Sequence, residues 1–216
     1  MKIIGHRGAR GLAPENTIAS LKKALEHNVD EVECDLRVTK DDVVILHHDP
    51  YITHPNGGRI NISTNTFANL RHHKPNLATL SQWLANSNST ALYLEVKPKV
   101  KTAPIIAELK KTKPANVSVG SKSQKTLLEI HQALPDIEKI VIHPWSGIIA
   151  THRARQLNTK RVSMNKICLW HGYIKAVSRH GYKLSTYTLN DPKKAKKWEK
   201  AGLYGVVTDY PDLFEK

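Results

Sequence analysis

Eight short apolar or alternating runs, six intervening stretches with helical spacing and no Pro/Gly/Ser-rich linker predict an α/β protein, a (β/α)8 TIM barrel, in one compact domain over residues 1–216. Strands that alternate with helices pair in parallel. Eight of them in this order favour a closed barrel over an open sheet. The 216 residues lie at the low end for such a barrel and suffice for a large core.

The expected strands are Lys2 to Gly5, Glu31 to Arg37, Ala91 to Lys97, Val117 to Ser121, Ile137 to His143, Arg161 to Met164, Lys183 to Leu189 and Gly205 to Thr208. The expected helices are Thr17 to His27, Thr102 to Lys111, Ser123 to Leu134, Ile148 to Gln156, Leu169 to His180 and Lys193 to Ala201. In the first helix, Ile18, Leu21 and Leu25 form one apolar stripe, Asn16 is placed to cap it and Pro14 stands just ahead. One segment breaks the rhythm after the second strand. Val43 to His48 reads as an additional strand, and Asp49 to Thr90 as a long polar loop insertion with a short helix near Leu80 to Leu84. A loop of that length in a compact domain is usually functional, and on a barrel it would cover the mouth.

Composition excludes several classes. Hydrophobic residues make up 40% and charged residues 24%, which is ordinary for a folded enzyme. No run approaches the ~18 apolar residues of a membrane span, and no leader or stable membrane anchor is expected. Cys34 and Cys168 lie far apart in apolar stretches, where buried free thiols and a reducing cytoplasm are expected. The net charge of +14 suits an anionic partner, but the four Trp and seven Tyr are scattered and form no nucleic-acid motif. The lysines within Lys97 to Lys113 and Lys193 to Lys200 read as solvated helix faces. A small anionic substrate is therefore the expected partner, without nucleic acid, and the oligomeric state is left open.

Chemistry enters through alternation. Within Glu31 to Arg37, Val32, Cys34 and Leu36 face one way and Glu33 and Asp35 the other. In a barrel the apolar set faces the helices, so two carboxylates point inward. Ala91 to Lys97 repeats the device, with Leu92, Leu94 and Val96 outward and Tyr93, Glu95 and Lys97 inward. Three acids then converge. Buried acids need a partner, and oxygen ligands suit Mg2+ or Ca2+ better than zinc. Alternation alone equally admits buried ion pairs with Arg7 or Lys97.

Histidines complete the candidate site. His6 ends the first strand in Gly5-His6-Arg7-Gly8, where the glycines would let the backbone approach a ligand and Arg7 suits a bidentate phosphate contact. His48 ends the extra strand, before Asp49-Pro50. Two such histidines beside three acids fit a general base and a general acid for phosphoryl transfer. His72 and His73 read instead as solvated loop, His143 and Trp145 as rim packing, and His171 and His180 as helix surface.

These pieces form an ordered set from end to end. His6-Arg7-Gly8, Pro14-Glu15-Asn16-Thr17, Glu33-x-Asp35, His48-Asp49, Glu95-Val96-Lys97 and Gly205-Val206-Val207-Thr208-Asp209-Tyr210-Pro211 together resemble the glycerophosphodiester phosphodiesterase family. The resemblance implies the (β/α)8 barrel, a divalent cation (Mg2+ or Ca2+) on Glu33, Asp35 and Glu95, His6 and His48 as acid/base pair, and Arg7 and Lys97 holding the phosphate. The implied reaction converts a glycerophosphodiester into glycerol 3-phosphate and an alcohol. Two departures touch substrate preference: Tyr51-Ile52-Thr53-His54-Pro55 replaces the family's common Arg-Thr pair, and Tyr187 stands where the family has Trp before Thr188 and Asn190. Two rival readings are a lysophospholipase D, which no long apolar wedge supports, and a catalytically silent binding barrel, against which the intact acids and histidines argue.

Overall fold

The computed structural model describes residues 1–53 and 56–214. Eight strands close into a parallel barrel: β1 (Lys2–Gly5), β2 (Glu31–Val38), β6 (Ala91–Val96), β7 (Val117–Ser121), β8 (Glu138–Ile142), β9 (Arg161–Asn165), β10 (Lys183–Tyr187) and β11 (Gly205–Thr208). Pairing of β1 with both β11 and β2 seals the seam. The six helices expected between strands are α1 (Ile18–Glu26), α4 (Ala103–Thr112), α5 (Gln124–Ala133), α6 (Gly147–Gln156), α7 (His171–Arg179) and α8 (Pro192–Glu199). Each lies within a few residues of its expected span.

The insertion after β2 holds more structure than its polar sequence suggests. β3 (Val44–Leu46) adds antiparallel to β2, β4 (Tyr51–Thr53) and β5 (Arg59–Asn61) form a hairpin, and α2 (Phe67–His73) precedes α3 (Leu80–Asn86). His72 and His73 therefore lie on a helix and not in a loop. Ile45, Ile52, Ile62, Leu70 and Leu77 give this insertion its own small core. Those apolar residues are spaced too irregularly for a periodic reading. His54 and Pro55 lie outside the described residues.

Side chains sort by strand face. Val32, Cys34, Leu36, Leu92, Leu94 and Val96 pack outward against Leu21, Leu80 and Trp83, whereas Ile4, Tyr93, Ile140, Ile142 and Val207 fill the lumen. Full burial of each such apolar side chain contributes roughly 1.5–3 kcal/mol. The first helix is capped differently from the sequence expectation: Thr17 Oγ1 accepts from Ser20 N and Ser20 Oγ accepts from Thr17 N, a capping box that leaves Asn16 free for another partner. Gly8 has φ +83, and a Cβ there would stand 2.6 Å or less from Ser20 atoms. Its freedom serves the closure of the β1 loop on α1. Two further expectations are corrected. Trp145 is exposed instead of packed, because no described residue of the rim covers it, and Cys168 is only half-buried.

At the N-terminal end of the lumen, Arg161 and Glu31 form a buried pair, Nη2 to Oε2 at 2.8 Å, with Glu138 at 3.2 Å and the Tyr204 ring beside the guanidinium. Removing one partner of a buried pair strands the other charge. Glu31→Gln is expected to lower the unfolding free energy by about 3 kcal/mol in a denaturant titration, with the apolar double variant Glu31→Leu/Arg161→Met recovering most of it. A loss below about 1 kcal/mol would show that Glu138 and Tyr204 suffice for Arg161.

Candidate active site

Register brings the acids together. β2 and β6 are parallel neighbours with Asp35 opposite Glu95 and Glu33 opposite Tyr93. One oxygen from each of Glu33, Asp35 and Glu95 lies within 4.8 Å of the others, at the C-terminal end of the barrel. Glu33 and Asp35 are buried, and Glu95 nearly so.

Both readings of the alternation are realised in part. Lys97 Nζ sits 2.5 Å from Asp35 Oδ1 and 2.8 Å from Glu95 Oε1, and Arg7 Nε 3.1 Å from Asp35 Oδ2. Burial works to raise the Asp35 carboxyl, but Lys97 and Arg7 outweigh it and hold it well below the usual carboxylate range. Glu33 is the acid left over. Its Oε2 accepts the Arg7 backbone N–H at 2.8 Å, while its buried Oε1 has no hydrogen-bond partner. Burial, then the charges of Asp35 and Glu95, push its pKa well up. An orphaned carboxylate oxygen in a cluster of three acids fits a hard divalent cation, which would relieve that cost.

Arg7 also donates from Nη1 to Glu15 Oε1 and Oε2 at 2.8 and 2.9 Å, so Glu15 holds its guanidinium at the rim. The sequence reading missed Asn16. Its Nδ2 donates to Asp35 Oδ2 at 2.9 Å and its Oδ1 accepts from Asp35 N at 3.0 Å, a two-point clamp that fixes the acid. The Pro-Glu-Asn-Thr stretch was the available signal. Lys122, 3.9 Å from Glu95, was also missed, and nothing local marks it.

The two histidines share one device. His6 Nδ1 lies 2.6 Å from Asp209 Oδ1, and His48 Nδ1 lies 2.8 Å from Asp49 Oδ1. Each carboxylate fixes the tautomer with the proton on Nδ1, which leaves Nε2 for proton transfer. Asp209 is itself held: Asn190 Nδ2 donates to its Oδ2 at 3.0 Å, and Arg10 Nε stands 3.2 Å from its Oδ1. Burial opposes ionisation of Asp209, but the His6 and Asn190 hydrogen bonds bring its pKa below the ordinary value. Arg37 Nε and Nη2 donate to the His48 carbonyl at 3.1 and 2.7 Å and anchor the other histidine. Burial, then Lys97, lower the His48 pKa, so its imidazole is neutral at pH 7. Asp209 and Asn190 were visible only as motif letters, because 203 residues separate His6 from Asp209. Tyr187, at the position of the family's Trp, leaves a buried hydroxyl without a partner, and burial pushes its pKa up.

A barrel whose C-terminal rim carries three clustered acids, the cations Lys97 and Arg7 paired to them, and two carboxylate-braced histidines fits the class of phosphate-ester hydrolases. The sequence profile of the Glycerophosphoryl diester phosphodiesterase family matches residues 6–156 and 85–213, and the chain belongs to that family, a family of phosphoric diester hydrolases. A glycerophosphodiester phosphodiesterase of Bacillus subtilis (strain 168) is 27% identical over 248 residues, covering 99% of this chain and 85% of that protein. An Oleispira antarctica phosphodiesterase, solved in complex with the product sn-glycerol-3-phosphate, superposes with a TM-score of 0.90 at 23% identity over 100% of this chain and 97% of its own. A Thermotoga maritima glycerophosphodiester phosphodiesterase gives 0.83 at 21%, covering 99% and 96%. Among the described residues, no helix is long and apolar enough to cross a membrane.

Proposed function

We propose that the protein hydrolyses small glycerophosphodiesters to glycerol 3-phosphate and the free alcohol, with Mg2+ or Ca2+ on Glu33, Asp35 and Glu95. The observation that carries this reading is the buried, unpartnered Oε1 of Glu33 inside the three-acid cluster. The cation supplies neutralisation of the phosphoryl oxygens as charge builds. Arg7 and Lys97 hold the phosphate, and Asn16 and Glu15 keep Asp35 and Arg7 in place. Neutral His48 accepts the proton of the nucleophile through Nε2. His6, its ring set by Asp209, gives a proton to the leaving alcohol as the P–O bond breaks.

With water as nucleophile, the products form in one step. With the neighbouring glycerol hydroxyl, a cyclic phosphate forms first and water opens it, the histidines exchanging roles. The unpaired thiols Cys34 and Cys168 suit a reducing cytoplasm, and the positive charge serves to attract anionic substrate. Incubated with glycerophosphocholine or glycerophosphoethanolamine and Mg2+ or Ca2+, the protein is expected to release glycerol 3-phosphate, and a chelator to stop the release. Phosphorus NMR reads the products, including any cyclic phosphate. Inorganic phosphate as the product, or full activity in chelator, would overturn the reading.

A further inference from the structure

We infer that the mouth of the barrel docks on an anionic lipid surface through an apolar patch built by the β8–α6 and β9–α7 connections and the first turn of α6. Nine large apolar side chains are exposed among the described residues, and eight of them follow the C-terminal ends of barrel strands; the ninth, Leu128, lies on α5. The most exposed are Trp145 (66%), Ile148 (82%), Ile167 (75%) and Trp170 (63%). They form one surface. β8 and β9 are parallel neighbours, the Trp170 and Tyr173 ring centroids lie 5.2 Å apart, and Tyr173 packs on Gly147 so closely that a Cβ there would stand 1.5 Å from its hydroxyl. No continuous apolar segment codes for this patch, which is why a search for an apolar wedge in the sequence misses it.

Charge identifies the occupant. The connections that build the patch and the first turns of α6 and α7, residues 143–149 and 165–175, contain no Asp or Glu, whereas Lys139, Arg161 and Lys183 sit at the N-terminal ends of their strands, away from this rim. Within the second of these acid-free stretches Lys166 precedes Ile167, His171 follows Trp170, and Lys175 stands one turn further along α7. Exposed tryptophan and isoleucine flanked by cations suit insertion at a headgroup boundary, where the rings lie at the interface and the cations meet anionic lipid. The docking reading stands on these residues alone and does not depend on the reaction proposed above.

Sedimentation of the full chain with phosphatidylcholine vesicles, with and without a phosphatidylglycerol fraction, tests it. Trp83 and Trp198 are buried, so a blue shift of tryptophan fluorescence on binding reports Trp145 and Trp170. The expected result is binding to the anionic vesicles with a blue shift. Trp145→Ser/Ile148→Ser/Trp170→Ser and Lys166→Glu/Lys175→Glu are each expected to weaken that binding by roughly tenfold or more. These side chains lie outside the core, so the far-UV circular dichroism should not change; if the triple variant fails to fold, Ile148→Ser alone carries the comparison. Failure to sediment with anionic vesicles would overturn the proposal. So would binding that the apolar substitutions leave unchanged, or a dimer in solution that they dissociate, since a second copy would then be the occupant.

Discussion

Glu33→Gln, Asp35→Asn and Glu95→Gln are each expected to lower turnover of a glycerophosphodiester by on the order of 10³-fold, the scale of losing a cation that stabilises transition-state charge. Their effects on stability separate the ligand role from an ion-pair role. The Glu33 carboxyl has a raised pKa in the fold, so in chelator its ionised form costs stability that grows as pH rises above the unfolded value. Glu33→Gln removes that cost, and the melting temperature in chelator is expected to rise. Asp35 has a depressed pKa, so it contributes stability above the unfolded value, lost as pH falls through the folded one. Asp35→Asn strands Lys97 and Arg7, and the melting temperature is expected to fall. In Mg2+ or Ca2+ the wild type is expected to gain melting temperature by mass action, and all three variants to lose that gain. Retained activity in a more stable Glu33→Gln protein would sink the ligand assignment.

His6→Ala and His48→Ala are each expected to reduce turnover by on the order of 10²-fold or more without loss of the cation-induced rise in melting temperature. The two are distinguishable by leaving group. Protonation of the departing oxygen matters little for an activated phenol, so a nitrophenyl diester should restore much of the rate to the His6 variant and little to the His48 variant. Equal rescue of both, or of neither, would remove the assignment of His48 as acceptor and His6 as donor. Unchanged turnover in either variant would take that histidine out of the reaction. Asp209→Asn is the companion measurement: with Nδ1 no longer held at 2.6 Å by a carboxylate, it should lower kcat more than it raises KM.

Particular elements show how far the sequence carries. The inward pair Glu33 and Asp35 and the outward trio Val32, Cys34 and Leu36 follow from the two-residue period of a strand, and the structure places them as the alternation requires. The same period on β6 put Glu95 beside them. Asn16 was misread because a capping residue and a side chain that clamps a neighbouring strand look alike locally. Its φ of 57 and its bonds to Asp35 exist only once α1 has docked on β2. The hairpin β4–β5 and helix α2 escaped because their apolar residues serve a small irregular core and follow no single period.

The sequence by itself therefore determined the eight barrel strands, the six helices between them and the face each acid presents, since periods of 2 and 3.6 residues are properties of the local backbone. Only the closed barrel decided which charges meet. Closure sets β1 beside β11, which brings His6 to Asp209, and sends Glu31 across the lumen to Arg161, 130 residues away. It also brought Trp145 and Ile148, after β8, beside Ile167 and Trp170, after β9, on one rim. Contacts of this kind depend on the long-range register of the sheet, and no local period encodes that register.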